Sequence, residues 1–255
     1  MKAFIFDLDG TLVDTEPLKN LAYARTALEL SPDGLRAEDV IAVATQLIGV
    51  PMRETAIELV RRLDLEEPAR ARMSALGVAA PWQAFSQMQV VAYNQLLDEP
   101  GVLQRAQLPH AVSLLYEARR QGFKAALATM SYRREVQREL DTLGCMDVFD
   151  TVVTADDVRR GNPDPEVYLR AAQTLVVLPD ECLVIEDSPS GIAGALAAGM
   201  SCIAVPTDLT RAAVHQTRLD ARWIVDDPAT LRIVVEQILG RIDHPDIRSG
   251  GSFGG

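Results

Sequence analysis

Cysteine is scarce in this chain of 255 residues. Cys145, Cys182 and Cys202 form an odd set without metal-ligand spacing, which speaks against a disulfide framework or a cysteine-built metal site. They read as small buried residues of a reducing compartment. Histidine is equally sparse: His110, His215 and His244 are scattered, fit surface or helix positions, and build no Ser/His/Asp or Cys/His constellation. Cations are outnumbered, 25 against 36 acidic residues, giving a net charge of −11 and a pI near 4.8. A phosphate-tracking surface is excluded on that balance, and with it nucleic acid as a partner. Lysine in particular is limited to Lys2, Lys19 and Lys124, beside 22 arginines. No signal peptide is readable, because Asp7 and Asp9 interrupt the opening apolar run, so a cytoplasmic location is expected. Two long uncharged stretches exist, 73–97 and 188–207, but Pro81 and four glutamines mark the first, and two prolines and three glycines break the second. Neither suits a membrane span.

What is present is a chain 48% apolar and 24% charged, long enough for one large α/β domain or a core domain with a smaller companion. The segment Phe4-Ile5-Phe6-Asp7-Leu8-Asp9-Gly10-Thr11 is an apolar run ending in two carboxylates and a glycine. The run has the character of a buried parallel strand, and Gly10 permits a sharp turn beside the carboxylates. Alternate residues of an extended chain share a face, so Asp7 and Asp9 start out pointing the same way. Two anions that close need a cation or a shared proton. A turn whose aspartates merely cap the next helix is the plainer alternative for a lone Asp-Gly.

From 15 to 105 the periodicity is helical. Leu18, Leu21, Ala22 and Arg25 recur on one face, as do Ala56, Leu59, Val60 and Leu63, and Phe85, Met88, Ala92 and Leu96. Turns are expected at 31–34 and 66–68. Beyond Pro109 helices and strands alternate: a helix near 110–121, a strand near 123–128, a helix near 133–143 and a strand near 149–153. A helix at 166–175, a strand from 182, a helix at 190–198 and a strand at 201–205 follow. Such alternation predicts a doubly wound parallel sheet. Its polar clusters, Thr129-Met130-Ser131, Gly161 to Pro165 and Glu186-Asp187-Ser188, then gather at the carboxyl ends of strands, where ligands of open α/β sheets bind. The tail 246–255 is Gly/Ser-rich and expected to be disordered.

Asp7-x-Asp9-Gly10-Thr11, Thr129, the Gly161-x-Pro163-x-Pro165 loop and Glu186-Asp187, in this order and on these strands, resemble the haloacid dehalogenase superfamily of phosphohydrolases. The resemblance spans nearly the whole chain. It is strongest to the members with a helical cap inserted after the first strand, among them sugar-phosphate and phosphoglycolate phosphatases and β-phosphoglucomutases. It implies a Rossmann-like core at 1–14 and 106–245, an all-helical cap at 15–105, and hydrolysis of small polar, sugar-like or hydroxy-acid phosphomonoesters. It also implies Asp7 as nucleophile and Asp9 as acid and base, with Mg2+ held by Asp7, the backbone of Asp9, Asp187 and, directly or at one remove, Glu186. Thr129 and the amide at Met130 would hold phosphoryl oxygens, although a helix-capping role also fits Thr129.

One departure is plain: the third motif of the family carries lysine, and Asn162 stands in its place. An amide donates hydrogen bonds without charge, so a slowed site is expected, with a non-catalytic phosphosugar-binding protein as the alternative. Lys19 sits where relatives commonly carry a histidine used by the mutases, so hydrolysis is favoured over phosphoryl return and Lys19 becomes the candidate to supply the missing charge. A solvated lysine is the plainer reading. Arg160 is a weaker substitute. Arg53, in a cap loop, is the candidate reader of the substrate's other end, or a surface arginine. A dehalogenase fits less well, because those relatives lack the second aspartate, and a receiver domain does not account for the helical insertion. Oligomeric state is open, with a monomer expected.

Overall fold

The computed structural model describes residues 1–31, 34–48 and 50–243. The expected tail 246–255, His244, and Pro32 and Asp33 of the expected turn lie outside them. Among the described residues the strands are β1 Ala3–Phe6, β2 Lys124–Ala128, β3 Thr151–Val153, β4 Cys182–Glu186 and β5 Ser201–Ala204. They form one parallel sheet in the order β3-β2-β1-β4-β5.

The period of two along each strand explains why the sheet is buried on both faces. Phe4 and Phe6 of β1, Ala125 and Leu127 of β2, and Leu183 and Ile185 of β4 belong to one hydrophobic cluster. Their neighbours Ala3 and Ile5, Ala126 and Ala128, and Cys182 and Val184 belong to another on the opposite face. Each large side chain so buried contributes roughly 1.5–3 kcal/mol. The three cysteines are all buried, as expected, and burial pushes the Cys145 thiol up to about 11 and the Cys182 thiol up to about 12.

Between β1 and β2 run α1 (Glu16–Leu30), α2 (Ala37–Thr45), α3 (Met52–Arg62), α4 (Glu66–Leu76), α5 (Pro81–Leu97), α6 (Val102–Ala106) and α7 (Pro109–Arg120). Helices α1, α2, α3 and α5 build a separate apolar cluster around Tyr23, Leu59, Leu65 and Phe85, the core of an all-helical cap. Ala56, Leu59 and Val60 are buried as their spacing predicts. The expected stripe on α1 is corrected, since Leu21 is 36% exposed. That helix lies between two apolar clusters, Ala22 facing the sheet's and Tyr23, Ala24 and Ala27 the cap's, so it buries small residues around its girth. On α5 the buried face is displaced to Phe85, Gln89, Tyr93 and Leu96, taking in two polar side chains. Where the chain leaves and re-enters the sheet layer the two crossings bond to each other, Asp14 N–H to Ala106 O (2.7 Å) and Leu108 N–H to Leu12 O (2.9 Å).

The remaining helices are α8 (Arg133–Leu143), α9 (Glu166–Leu175), α10 (Pro189–Ala197), α11 (Arg211–Val214) and α12 (Leu231–Asp243). Helices α7, α8 and α12 cover the Phe4 face, and α9 and α10 the Ile5 face. No helix among the described residues is long and apolar enough to cross a membrane.

Candidate active site

The site follows from strand register. Phe6 pairs with Leu127 and with Ile185, so Asp7 emerges beside Glu186, and its N–H donates to Ile185 O at 3.0 Å. The strand order switches between β1 and β4, and the crevice outside those strand ends is where a doubly wound sheet binds ligands. After Asp7 the chain turns tightly: Leu8 O accepts the N–H groups of Thr11, Leu12 and Val13. Gly10 is required there twice over. Its φ is +79°, and a Cβ would lie 2.2 Å from Asp187 Oδ2.

Asp7, Glu186 and Asp187 are buried, with carboxylate oxygens of all three within 4.8 Å of one another. Burial first, then their mutual repulsion, pushes Asp7 and Asp187 well above the ordinary aspartate range. Glu186 is further committed: Oε1 accepts from Tyr168 at 3.0 Å, and Oε2 accepts the N–H groups of Asp187 (2.7 Å) and Ser188 (2.6 Å). A Cβ at position 191 would lie 1.5 Å from Glu186 Oε1, so Gly191 gives that side chain its space. Crowded oxygen donors with uncompensated charge suit a hard divalent cation such as magnesium.

Asp9 has a different environment. Its oxygens accept from Thr15 and Ser131 hydroxyls and from Lys19 Nζ at 2.6 Å. Burial alone would raise the Asp9 carboxyl, but the Lys19 charge and these hydrogen bonds outweigh it and hold it below the ordinary value. Lys19 also reaches Glu16 (3.4 Å) and Ser131 Oγ (3.4 Å), and its ammonium is stabilised well above the usual lysine range by Asp9 and Glu16 despite burial. The lysine is therefore no solvated surface residue.

Asp7, Asp9, Lys19, Thr129, Met130, Asn162, Glu186 and Asp187 line one cavity of about 80 Å3 under the cap. Thr129 is buried, its N–H donates to Val153 O (3.0 Å) and its hydroxyl accepts from Ser131 N–H (3.1 Å). It does not cap α8, whose N-cap is Tyr132. Asn162 is buried, with Oδ1 lacking a hydrogen-bond partner among the described residues. Arg53 is not brought to the cavity; its guanidinium lies 5.5 Å from the Trp82 ring centroid. Arg160 is also outside, paired with Asp164 at 3.0 Å. Of the histidines, His110 is exposed and His215 pairs with Asp226.

The site contains side chains that sequence reasoning did not single out. Thr15 and Glu16, together with Ser131 of the expected polar cluster, surround Asp9 and Lys19, and Gln89 and Tyr93 descend from α5. Gln89 is buried with an unpartnered Oε1, and Tyr93 donates to Glu139 at 3.0 Å. The signal available for the last two was a polar residue inside an apolar helical stripe.

Residues 1–199 match the family of haloacid dehalogenase-like hydrolases. The chain is 32% identical over 203 residues to a phosphorylated carbohydrates phosphatase of Thermotoga maritima, covering 80% of this chain and 84% of that protein. It is 32% identical over 212 residues to hexitol phosphatase A of Escherichia coli K12, covering 82% and 86%. Its fold superposes on a crystal structure of β-phosphoglucomutase from Clostridium difficile with a TM-score of 0.75, covering 96% of this chain and 100% of that one at 23% identity.

Proposed function

The chain belongs to the haloacid dehalogenase-like hydrolase family, and on that premise we propose that it is a magnesium-dependent phosphatase of sugar-like phosphomonoesters, working through an aspartyl-phosphate at Asp7. The observation that carries this reading is the buried convergence of Asp7, Glu186 and Asp187 at the strand switch, opposite an Asp9 held by its own set of donors. Resemblance to curated sugar-phosphate phosphatases supports the substrate class. Among the described residues this reading takes 1–14 and 106–243 as the core and 15–105 as the cap, joined at the paired crossings beside Asp14 and Ala106.

Asp7, Asp187 and the backbone carbonyl of Asp9 would hold the cation, with Glu186 orienting the neighbouring amides. When bound, magnesium supplies positive charge against that of the phosphoryl oxygens. Asp7 attacks phosphorus, its oxygen forming the new P–O bond as the bond to the leaving oxygen breaks. Asp9 in its protonated form gives that proton to the leaving oxygen and is left as the carboxylate that Lys19, Thr15 and Ser131 hold. It then takes one from water, whose oxygen attacks phosphorus and frees Asp7 and inorganic phosphate. Thr129 and the backbone at Met130 steady phosphoryl oxygens. Lys19 sits with Asp9 and Glu16, so its charge bears on the acid/base group more directly than on the nucleophile.

Asn162 favours a second reading, a phosphosugar-binding protein that turns over slowly or not at all. Turnover of a phosphomonoester panel with and without magnesium decides between them. Magnesium-dependent release of phosphate is expected, and phosphate binding without release would overturn the enzymatic reading.

A further inference from the structure

The cavity over Asp7 is small for the substrates such a site would serve. At roughly 10–15 Å3 per water-sized group, about 80 Å3 holds on the order of six such groups, most of them taken by a phosphoryl group. A leaving group larger than a few atoms must extend elsewhere. Beside the cavity lies a groove of about 640 Å3 between cap helix α5 and core helix α8, within the range of sites for drug-sized ligands. Met52 and Glu135 line both spaces, so the two adjoin there. Methionine is the pliable side chain for such a divide.

The groove has the lining of a ring site. Trp82, Val90 and Val91 give it an apolar wall along α5, and Val91 is 57% exposed. Arg134 at its rim makes no hydrogen bond or ion pair among the described residues, although acidic groups outnumber basic ones in this chain. A pyranose ring presents an apolar face and a hydroxylated edge, and the wall and rim answer both.

Building on the phosphatase reading, we infer that the groove between α5 and α8 receives the distal ring of the leaving group, so that the preferred substrates are phosphomonoesters of two-ring carbohydrates. Glucose 6-phosphate and trehalose 6-phosphate share the phosphorylated ring and differ in the second. With magnesium present, kcat/KM for the disaccharide ester is expected to exceed that for the monosaccharide ester about tenfold or more. Val91→Trp, at an exposed helix position, fills the groove and should lower that ratio about tenfold. Arg134→Ala, equally exposed, should lower it about threefold. A ratio near one in the parent protein, or one that Val91→Trp leaves unaltered, overturns the inference while glucose 6-phosphate hydrolysis keeps the phosphatase reading. Failure to release phosphate from either ester or from p-nitrophenyl phosphate overturns both.

Discussion

Asp7 and Asp9 stand two residues apart on one turn, both largely buried, and their surroundings drive them in opposite directions. Asp7 faces Glu186 and Asp187, and burial with like charge holds its carboxyl well above the ordinary range. Asp9 faces Lys19, Thr15 and Ser131 and is held below it. The difference shows how one strand end provides two chemistries: a carboxylate that requires a cation and one that already has its donors.

The largest test of that contrast is Asp7→Asn, which removes the nucleophile and keeps its volume. Turnover of p-nitrophenyl phosphate should fall by at least about a thousandfold, and full hydrolysis in the variant would end the aspartyl-phosphate mechanism. Next comes Asn162→Lys. A cation near Asp7 would relieve the repulsion that Lys19 relieves for Asp9, and kcat should rise about a hundredfold, or roughly 3 kcal/mol. An unchanged rate in an otherwise active enzyme would show that the third-motif charge is dispensable here.

A smaller effect separates the two carboxylates by pH. Without a cation, Asp7 and Asp187 release their protons at higher pH in the folded protein than in the unfolded chain. Their contribution to cation-free stability is therefore fully present at acid pH and is lost as pH rises from the ordinary aspartate range through their raised folded values. Magnesium binds the anionic forms, so its stabilisation grows in the same direction. At a hundred times Kd it contributes about 2.7 kcal/mol, or roughly 5–10 °C in Tm at pH 8. The shift should shrink at pH 5, and equal shifts at both pH values would contradict the cluster's role as the cation site.

Much of this was legible in the sequence, and the gaps have physical causes. Phe4 to Phe6 and Cys182 to Ile185 identify themselves as buried parallel strands because both faces of the sheet are covered, so the apolar runs are continuous. The helices Arg133–Leu143 and Glu166–Leu175 match their expected bounds because Gly144 and the 161–165 loop punctuate them. Within 206–243, assigned to the core, no individual helix or strand is expected from the sequence, and α12 packs there through Leu231, Val235 and Ile238. The burial of α1 was misjudged because an amphipathic stripe presumes one apolar neighbour, and α1 has two. Gln89 and Tyr93 look misplaced in a core stripe until the cavity beneath α5 is seen. Lys19 could be named as a candidate cation, but which carboxylate it would choose depends on where α1 sets its side chain.

That choice yields the finest test. In Lys19→Ala the hydroxyls of Thr15 and Ser131 still bond Asp9, so the site keeps its shape while the acid/base carboxyl loses its only ion pair among the described residues. An opposite charge at this distance typically moves a carboxyl by about one unit or more, so the limb of the kcat/KM profile that belongs to Asp9 should move to higher pH by about one unit. The direction holds whether that limb reports Asp9 as acid or as base, because removing the ammonium favours the protonated form in either role. Phosphate affinity, if Lys19 serves Asp9 alone, should change little. A weakened affinity for inorganic phosphate with an unmoved pH profile would reverse the assignment, placing the lysine's charge with the phosphoryl group and Asp7 instead.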